Sequence, residues 1–321
     1  AENGQPGTVV DAEGNTLQGD NHHNQRDIGF YSQASYRPTR RLKLILGGRL
    51  DNNQVRETEG YGTVFNSRAA AVYTPGPLVL KAIYAEAFKA ASNWAKFSTS
   101  PSRQLTNPEL DPEKVRNVDL SLGWQAAPGL FVDAVGYWSR YSDIVGTAKV
   151  VLNGNETTQN QPLGQLRIGG VQANGEWKLG EHRLYANYTF TDSKITEDAQ
   201  GRSVDIPMGD IARHRFNLGA TLALPGRMWL NLRLNRVGRR RTGAGTTVAD
   251  NPFRSVAAYT VLNGALSYKP PLVGVSLQLA VENLLDEGYF HPGVRSADGK
   301  ILAARLPQNP RNAVLRLRYD F

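Results

Sequence analysis

Short turns and long loops alternate strictly along residues 26 to 321, and that alternation restricts the fold more than any other feature of the sequence. Tight turns rich in Pro and Gly fall at Pro38-Thr39-Arg40, Pro75-Gly76-Pro77, Ala127-Pro128-Gly129, Leu179-Gly180-Glu181, Pro225-Gly226-Arg227 and Pro270-Pro271. Between them lie long polar stretches at 52–62, 89–114, 142–165, 192–213, 239–257 and 283–311. Each segment joining a turn to a loop alternates apolar and polar residues, as in Leu42, Leu44, Leu46 and Leu50 against Arg41, Lys43, Arg49 and Asp51. Side chains in a strand point to opposite faces in turn, so these segments read as about thirteen strands, most near the ten or so residues that a tilted membrane-spanning strand needs. Short turns on one rim and long loops on the other are the pattern of an outer-membrane barrel, with the short rim in the periplasm. A soluble sandwich or propeller has shorter strands and no reason to sort its loops by end. The fold class is therefore all-β, an antiparallel transmembrane β-barrel.

Composition is compatible with this reading. Mean hydropathy is −0.42 and no apolar run is long enough for a spanning helix, but a barrel shows lipid only every second residue. Cysteine is absent, which excludes disulfides and thiolate metal sites. The net charge of +8 raises a nucleic-acid partner. The basic residues are scattered over alternating strands apart from Arg239, Arg240 and Arg241, with no stacking motif or recognition helix beside them, so no nucleic-acid partner is expected. Residues 1–25 read as irregular loop, and A-E-N-G-Q-P-G lacks the basic and apolar segments of a signal peptide.

Aromatic residues give the barrel a direction. Tyr36, Tyr73, Trp124, Trp177, Tyr268, Tyr319 and Phe321 occupy apolar faces near the short-turn rim or the terminus, as an interfacial girdle would, whereas Trp229 has the parity of an inward residue. If the final strand ends in the periplasm, about thirteen antiparallel strands place residues 1–25 outside the cell. An odd number does not close the usual single-chain barrel, so the chain is expected to be the carboxy-terminal part of a larger one: 1–25 a loop remnant, 26–321 barrel wall.

Two motifs carry a family resemblance. Glu86-Ala87-Phe88-Lys89-Ala90 followed by Asn107-Pro108-Glu109-Leu110-Asp111-Pro112-Glu113-Lys114 resembles the F-[RK]-A-P and N-P-x-L-x-P-E segments of the TonB-dependent outer-membrane receptors, although Ala90 to Ser92 departs from the usual Pro. Glu282-Asn283-Leu284-Leu285-Asp286-Glu287-Gly288-Tyr289 resembles their N-L-F-D-x-x-Y, with Leu285 where Phe is commoner. Pro307 to Arg311 and the terminal Tyr319-Asp320-Phe321 complete the likeness. The resemblance implies a barrel of about 22 strands filled by an amino-terminal plug, energised by an inner-membrane TonB complex. Neither a plug nor a TonB box is recognisable here. It also implies import of a scarce ligand, a ferric siderophore ahead of cobalamin or a sugar, and it makes Leu317, Tyr319 and Phe321 a signal for the barrel assembly machinery.

Candidate ligand-binding residues are the loop arginines Arg103, Arg239, Arg240, Arg241, Arg254, Arg295 and Arg305, since a cationic mouth concentrates anionic ferric chelates. The competing role for any one of them is a solvated face or contact with outer-membrane lipid and lipopolysaccharide. Inward Arg316, Arg318, Glu176, Lys178 and Glu282 are expected to pair with the lumen wall or plug. His22, His23, His214 and His291 are possible ligands to metal or haem. However, residues 90–106 lack the histidine that haem receptors of the family carry there, and no cofactor is expected. An outer-membrane hydrolase would need a Ser/His or Asp/His constellation at one rim, and no such spacing is present. A soluble β-rich binding protein would extract without detergent.

Overall fold

The computed structural model describes residues 8–10, 16–18, 25–55, 60–97, 105–152, 154–198, 201–242, 254–295 and 301–321. A small ribbon of β1 (Thr8–Val10) against β2 (Thr16–Gln18) occupies part of the stretch expected to be irregular. The wall starts at β3 (Gln25–Thr39) and continues through β4 (Leu42–Val55), β5 (Gly62–Tyr73) and β6 (Leu78–Lys89). A short helix, α1 (Asn93–Phe97), separates β6 from β7 (Glu113–Ala127) and β8 (Leu130–Ser142). The hairpin of β9 (Val145–Leu152) and β10 (Asn155–Pro162) precedes β11 (Gln165–Leu179) and β12 (His182–Glu197). Next come β13 (Ser203–Pro207), β14 (His214–Leu224) and β15 (Met228–Val237). A two-residue ladder of β16 (Arg240–Arg241) and β17 (Ser255–Val256) leads to β18 (Tyr259–Tyr268) and β19 (Val275–Glu282). The hairpin of β20 (Phe290–Arg295) and β21 (Ile301–Pro307) comes before β22 (Asn312–Tyr319).

One antiparallel path joins β3, β4, β5, β6, β7, β8, β11, β12, β14, β15, β18, β19 and β22, with β13 attached beside β12. These thirteen strands are the ones that the sequence pattern predicts. The path is open, since β3 and β22 are its two ends and do not pair with each other. The segments expected as long polar loops carry their own structure: the β9–β10 and β20–β21 hairpins, β13, the β16–β17 ladder and α1.

Register fixes the two faces. Leu50 lies opposite Phe30 and Phe65, Leu120 opposite Ala82 and Gly136, and Leu279 opposite Leu266 and Leu315, so the apolar sets of neighbouring strands share one face. That face is bare: Leu46 is 64%, Leu120 60% and Leu315 72% exposed. No large side chain is fully buried among the described residues. A soluble sandwich of this length would cover such residues with a second sheet, whereas a membrane barrel turns them to lipid. The girdle residues Tyr36, Tyr73, Trp124, Trp177, Tyr268 and Tyr319 all fall on this outer face next to the short turns. Trp229 has inward parity, opposite Ala223 and Ser267, with the Lys269 ammonium 5.7 Å from its ring centroid.

The inner face is polar and internally paired. Arg49 forms an ion pair with Asp51 at 2.7 Å, and Glu176 pairs with Arg183 at 3.1 Å and with Lys178 at 3.4 Å. Arg316 donates to Gln278 at 2.9 Å, and Glu282 accepts from Asn312 at 3.1 Å. Short turns are set by backbone geometry. At Gly129 φ is +78° and an added Cβ would overlap the Lys178 carbonyl oxygen, so the β7–β8 turn requires glycine.

Candidate functional site

The long-loop rim gathers arginines that lie far apart in sequence. The β16–β17 ladder pairs Arg240 with Val256 and Arg241 with Ser255, which draws both sides of the 239–257 loop together. Two backbone bonds fix the surroundings: the Asp210 amide donates to the Arg241 carbonyl at 2.7 Å, and the Thr242 amide to the Arg254 carbonyl at 3.2 Å. Arg213, Arg239, Arg241 and Arg254 consequently border one cavity of about 460 Å³, together with Ser193 and Met208. Arg213 is held by Asp192 at 2.6 Å, and Arg239 Nε donates to Ser255 Oγ at 2.8 Å. Arg239, Arg241 and Arg254 are exposed, and none has a carboxylate partner among the described residues. One exposed cation contributes little by itself, but several around one concavity raise the local concentration of a multiply charged anion.

Arg240 does not join them. Alternation along β16 turns it away from Arg241, and it is only 7% exposed. Its guanidinium donates to the Phe290 carbonyl at 3.0 Å and lies 5.6 Å from the Tyr259 ring centroid, while Nε has no partner among the described residues. Tyr259 and Tyr289 pack with centroids 4.4 Å apart, and the Tyr259 hydroxyl is 3.3 Å from His291 Nε2. Burial pushes the Tyr289 phenol up; burial, and then the charge of Arg240, hold the His291 imidazole below its usual range. This cluster anchors the β20–β21 hairpin to the wall. Arg305 stacks on Phe290 in the same hairpin at 4.0 Å, and Arg295 is the last residue of β20. Arg103, His22 and His23 lie outside the described residues. Tyr188 meets His214 Nδ1 at 2.7 Å, and among the described residues no group of three His, Asp or Glu side chains is placed to hold a metal.

Residues 2–284 match the family model described as TonB dependent receptor-like, beta-barrel. The chain belongs to that family. It is an outer-membrane protein. The iron-regulated outer membrane virulence protein of Vibrio cholerae serotype O1 is 23% identical over 314 residues, which are 90% of this chain and 46% of that protein. The copper transporter OprC superposes with a TM-score of 0.70 at 18% identity, over 98% of this chain and 52% of its own. The ferric enterobactin receptor of Pseudomonas aeruginosa, in complex with enterobactin, gives 0.72 at 15% identity, over 92% and 46%. The FrpB iron transporter of Neisseria meningitidis gives 0.71 at 14% identity, over 93% and 46%. The chain thus spans about half the length of the curated relatives it matches.

In this receptor chain the two family motifs act as clips. Asn283, at φ +52° and 3% exposed, receives the Glu287 amide at 2.9 Å and donates to the carbonyls of Glu287 at 3.0 Å and Asn309 at 3.3 Å. Asp286 accepts the Arg311 amide at 2.9 Å, which ties the end of β19 to the start of β22. Upstream, Asn107 donates its amide hydrogen to the Lys96 carbonyl and its side chain to the Asn160 carbonyl, both at 2.8 Å. Leu110 is buried at 3% exposure beside this clip. Burial pushes the Lys96 ammonium down and nearby Asp111 opposes it. Leu317 and Tyr319 stand on the outer face of β22, and Phe321 packs edge-on against Tyr319 at 4.9 Å.

Proposed function

We propose that the receptor imports a scarce anionic metal chelate, foremost a ferric siderophore, and that this chain supplies part of its wall and extracellular mouth. The observation that carries the reading is the set of exposed arginines, Arg239, Arg241 and Arg254 without carboxylate partners among the described residues and Arg213 beside them, around one cavity at the long-loop rim. An iron-regulated relative and solved iron and ferric enterobactin receptors support iron as the cargo. A copper transporter shares the fold, so fold alone leaves the cargo open. Binding without catalysis is part of the proposal, as is energy delivered by an inner-membrane TonB complex acting on a plug. Residues 1–25 would lie in an extracellular loop and 26–321 in the barrel. Leu317, Tyr319 and Phe321 would be read by the barrel assembly machinery.

Growth of a strain lacking the whole gene, on iron supplied as single siderophore complexes, tests the reading. Loss of growth on one of them, restored by the gene, is expected. Normal growth on every iron source, with loss on cobalamin or a sugar, would transfer the proposal to that nutrient.

A further inference from the structure

We propose that the wall has a water-filled side passage between β5 and β6, latched by the Glu86 carboxylate. The ladder joining these two strands stops at Arg68 and Ala85 after six pairs, whereas β4–β5 and β6–β7 have twelve pairs each. Above that point β5 still pairs with β4 as far as Gly62, and β6 with β7 as far as Lys89. Both strands are held on their far sides up to the top, so the gap between them is not a frayed end.

Parity identifies the groups that face the gap. Successive residues of an antiparallel strand present their N–H and C=O to one neighbour and then to the other. The Ser67 amide reaches across to Glu86, so Thr63 and Phe65, of the same parity, point the same way. Ala69 shares that parity and lies opposite Tyr84, so Glu86 and Phe88 point back at them. The ladder supplies none of these four residues with a partner among the described residues. One side chain stands in for it. The Glu86 carboxylate accepts the Ser67 amide at 3.1 Å, the Ser67 hydroxyl at 2.7 Å and the Tyr84 hydroxyl at 2.7 Å, and it lies 3.3 Å from Arg116 Nε. Higher up, the rings of Tyr61 and Phe88 meet edge-on at 5.3 Å.

Two cavities join in the gap. One, of about 280 Å³, is lined from both faces of the wall, by Thr63, Phe65 and Arg116 of the outer set and Asn66, Ala87 and Val115 of the inner set. The other, of about 650 Å³, lies against the inner face beside Tyr31, Arg49, Asp51 and Arg68. Asn66, Glu86 and Ala87 border both. Tyr73, the girdle residue of β5, lies six positions below Ser67. That is about 20 Å of extended chain, or about 15 Å of height at usual barrel tilt, in the upper part of an apolar band about 25 Å tall. Lipid cannot satisfy backbone N–H and C=O groups at that depth, and irregular backbone persists there only beside water. The polar inner chamber supplies the water, which reaches the outer surface through the gap. Breaking the Glu86 bonds widens the passage to small hydrophilic solutes while the ladders on either side stay intact. None of this depends on the identity of the cargo.

Residue-resolved amide hydrogen exchange of the full-length receptor in lipid nanodiscs tests the passage. In wild type, Thr63, Phe65 and Phe88 should exchange about a hundredfold or more faster than Ala69, Ala71 and Tyr84. Val64 and Asn66, whose amides face β4, should stay as slow as Ala70. In Glu86→Ala the Ser67 amide should join the fast set, and Glu86→Gln should keep part of its protection, with heat-modifiable electrophoretic mobility confirming that both variants fold. The wild-type comparison stands by itself if a variant does not fold. Slow exchange at Thr63 and Phe65 would mean a continuous ladder, and equally fast exchange at Val64 and Asn66 a frayed end. Either result, or a Ser67 amide as slow in folded Glu86→Ala as in wild type, would overturn the proposal.

Discussion

The two rims of this wall are built from the same strands and solve different problems. At the short-turn rim the chain reverses within a few residues, through Gly129 and similar positions, and the neighbouring outer side chains are lipid-facing aromatics. At the other rim the same strands continue into hairpins, a ladder and a helix, and arginines, three of them without a carboxylate partner among the described residues, meet around a cavity. One rim spends its sequence on holding shape in lipid and the other on presenting charge to solvent. Binding energy should therefore be concentrated at one rim and folding energy spread over the wall and the short turns.

Perturbations of decreasing size test that division. Leu120→Arg puts a charge on the lipid-facing band and is expected to cost about 2–4 kcal/mol of folding free energy in a denaturant titration in lipid vesicles. A cost near zero would remove the assignment of that face to lipid. Asn283→Ala tests whether the long-loop rim also contains structural residues: it strips partners from buried backbone groups and should cost about 1–3 kcal/mol, with ligand affinity unchanged. Loss of affinity without loss of stability would make the motif part of the binding site. The smallest effect concerns pH. His291 is held below its usual range, so the unfolded chain takes up protons first; its contribution is present above about pH 6.5 and is lost as pH falls below that. An NMR titration of His291 should show a midpoint under that of a free imidazole, and one above it would contradict the buried cluster.

Parity and turns made the wall legible. The outward alignment of Tyr36, Trp124, Trp177 and Tyr319 follows from the period-two pattern, because lipid on one side and the lumen on the other demand it. The β9–β10 hairpin was not legible for the complementary reason. Its second strand reads N-E-T-T-Q-N-Q-P, polar on both faces, and is ordered by backbone pairing, which leaves no hydropathy signal. Arg213 carries no mark in the sequence, because its convergence with Arg239, Arg241 and Arg254 is set by pairing between loops, which sequence distance does not encode. Arg240 reads with its neighbours as one basic cluster, although alternation turns adjacent strand residues such as Arg240 and Arg241 to opposite sides. The N-L-L-D-E-G-Y motif was visible as a family mark, while its work as a clip depends on Asn309 and Arg311, more than twenty residues on.

The central claim is that the arginines of the long-loop rim that have no carboxylate partner among the described residues recognise an anionic chelate. Equilibrium binding of ferric catecholate, hydroxamate and carboxylate siderophores to the detergent-purified protein and to its R239A/R241A/R254A variant tests it most directly. At least one complex should bind wild type, weaken as salt screens the site, and lose tenfold or more in affinity, about 1.4 kcal/mol, in a variant that folds normally. Undiminished binding by the variant, or binding of none of the three, would contradict the account.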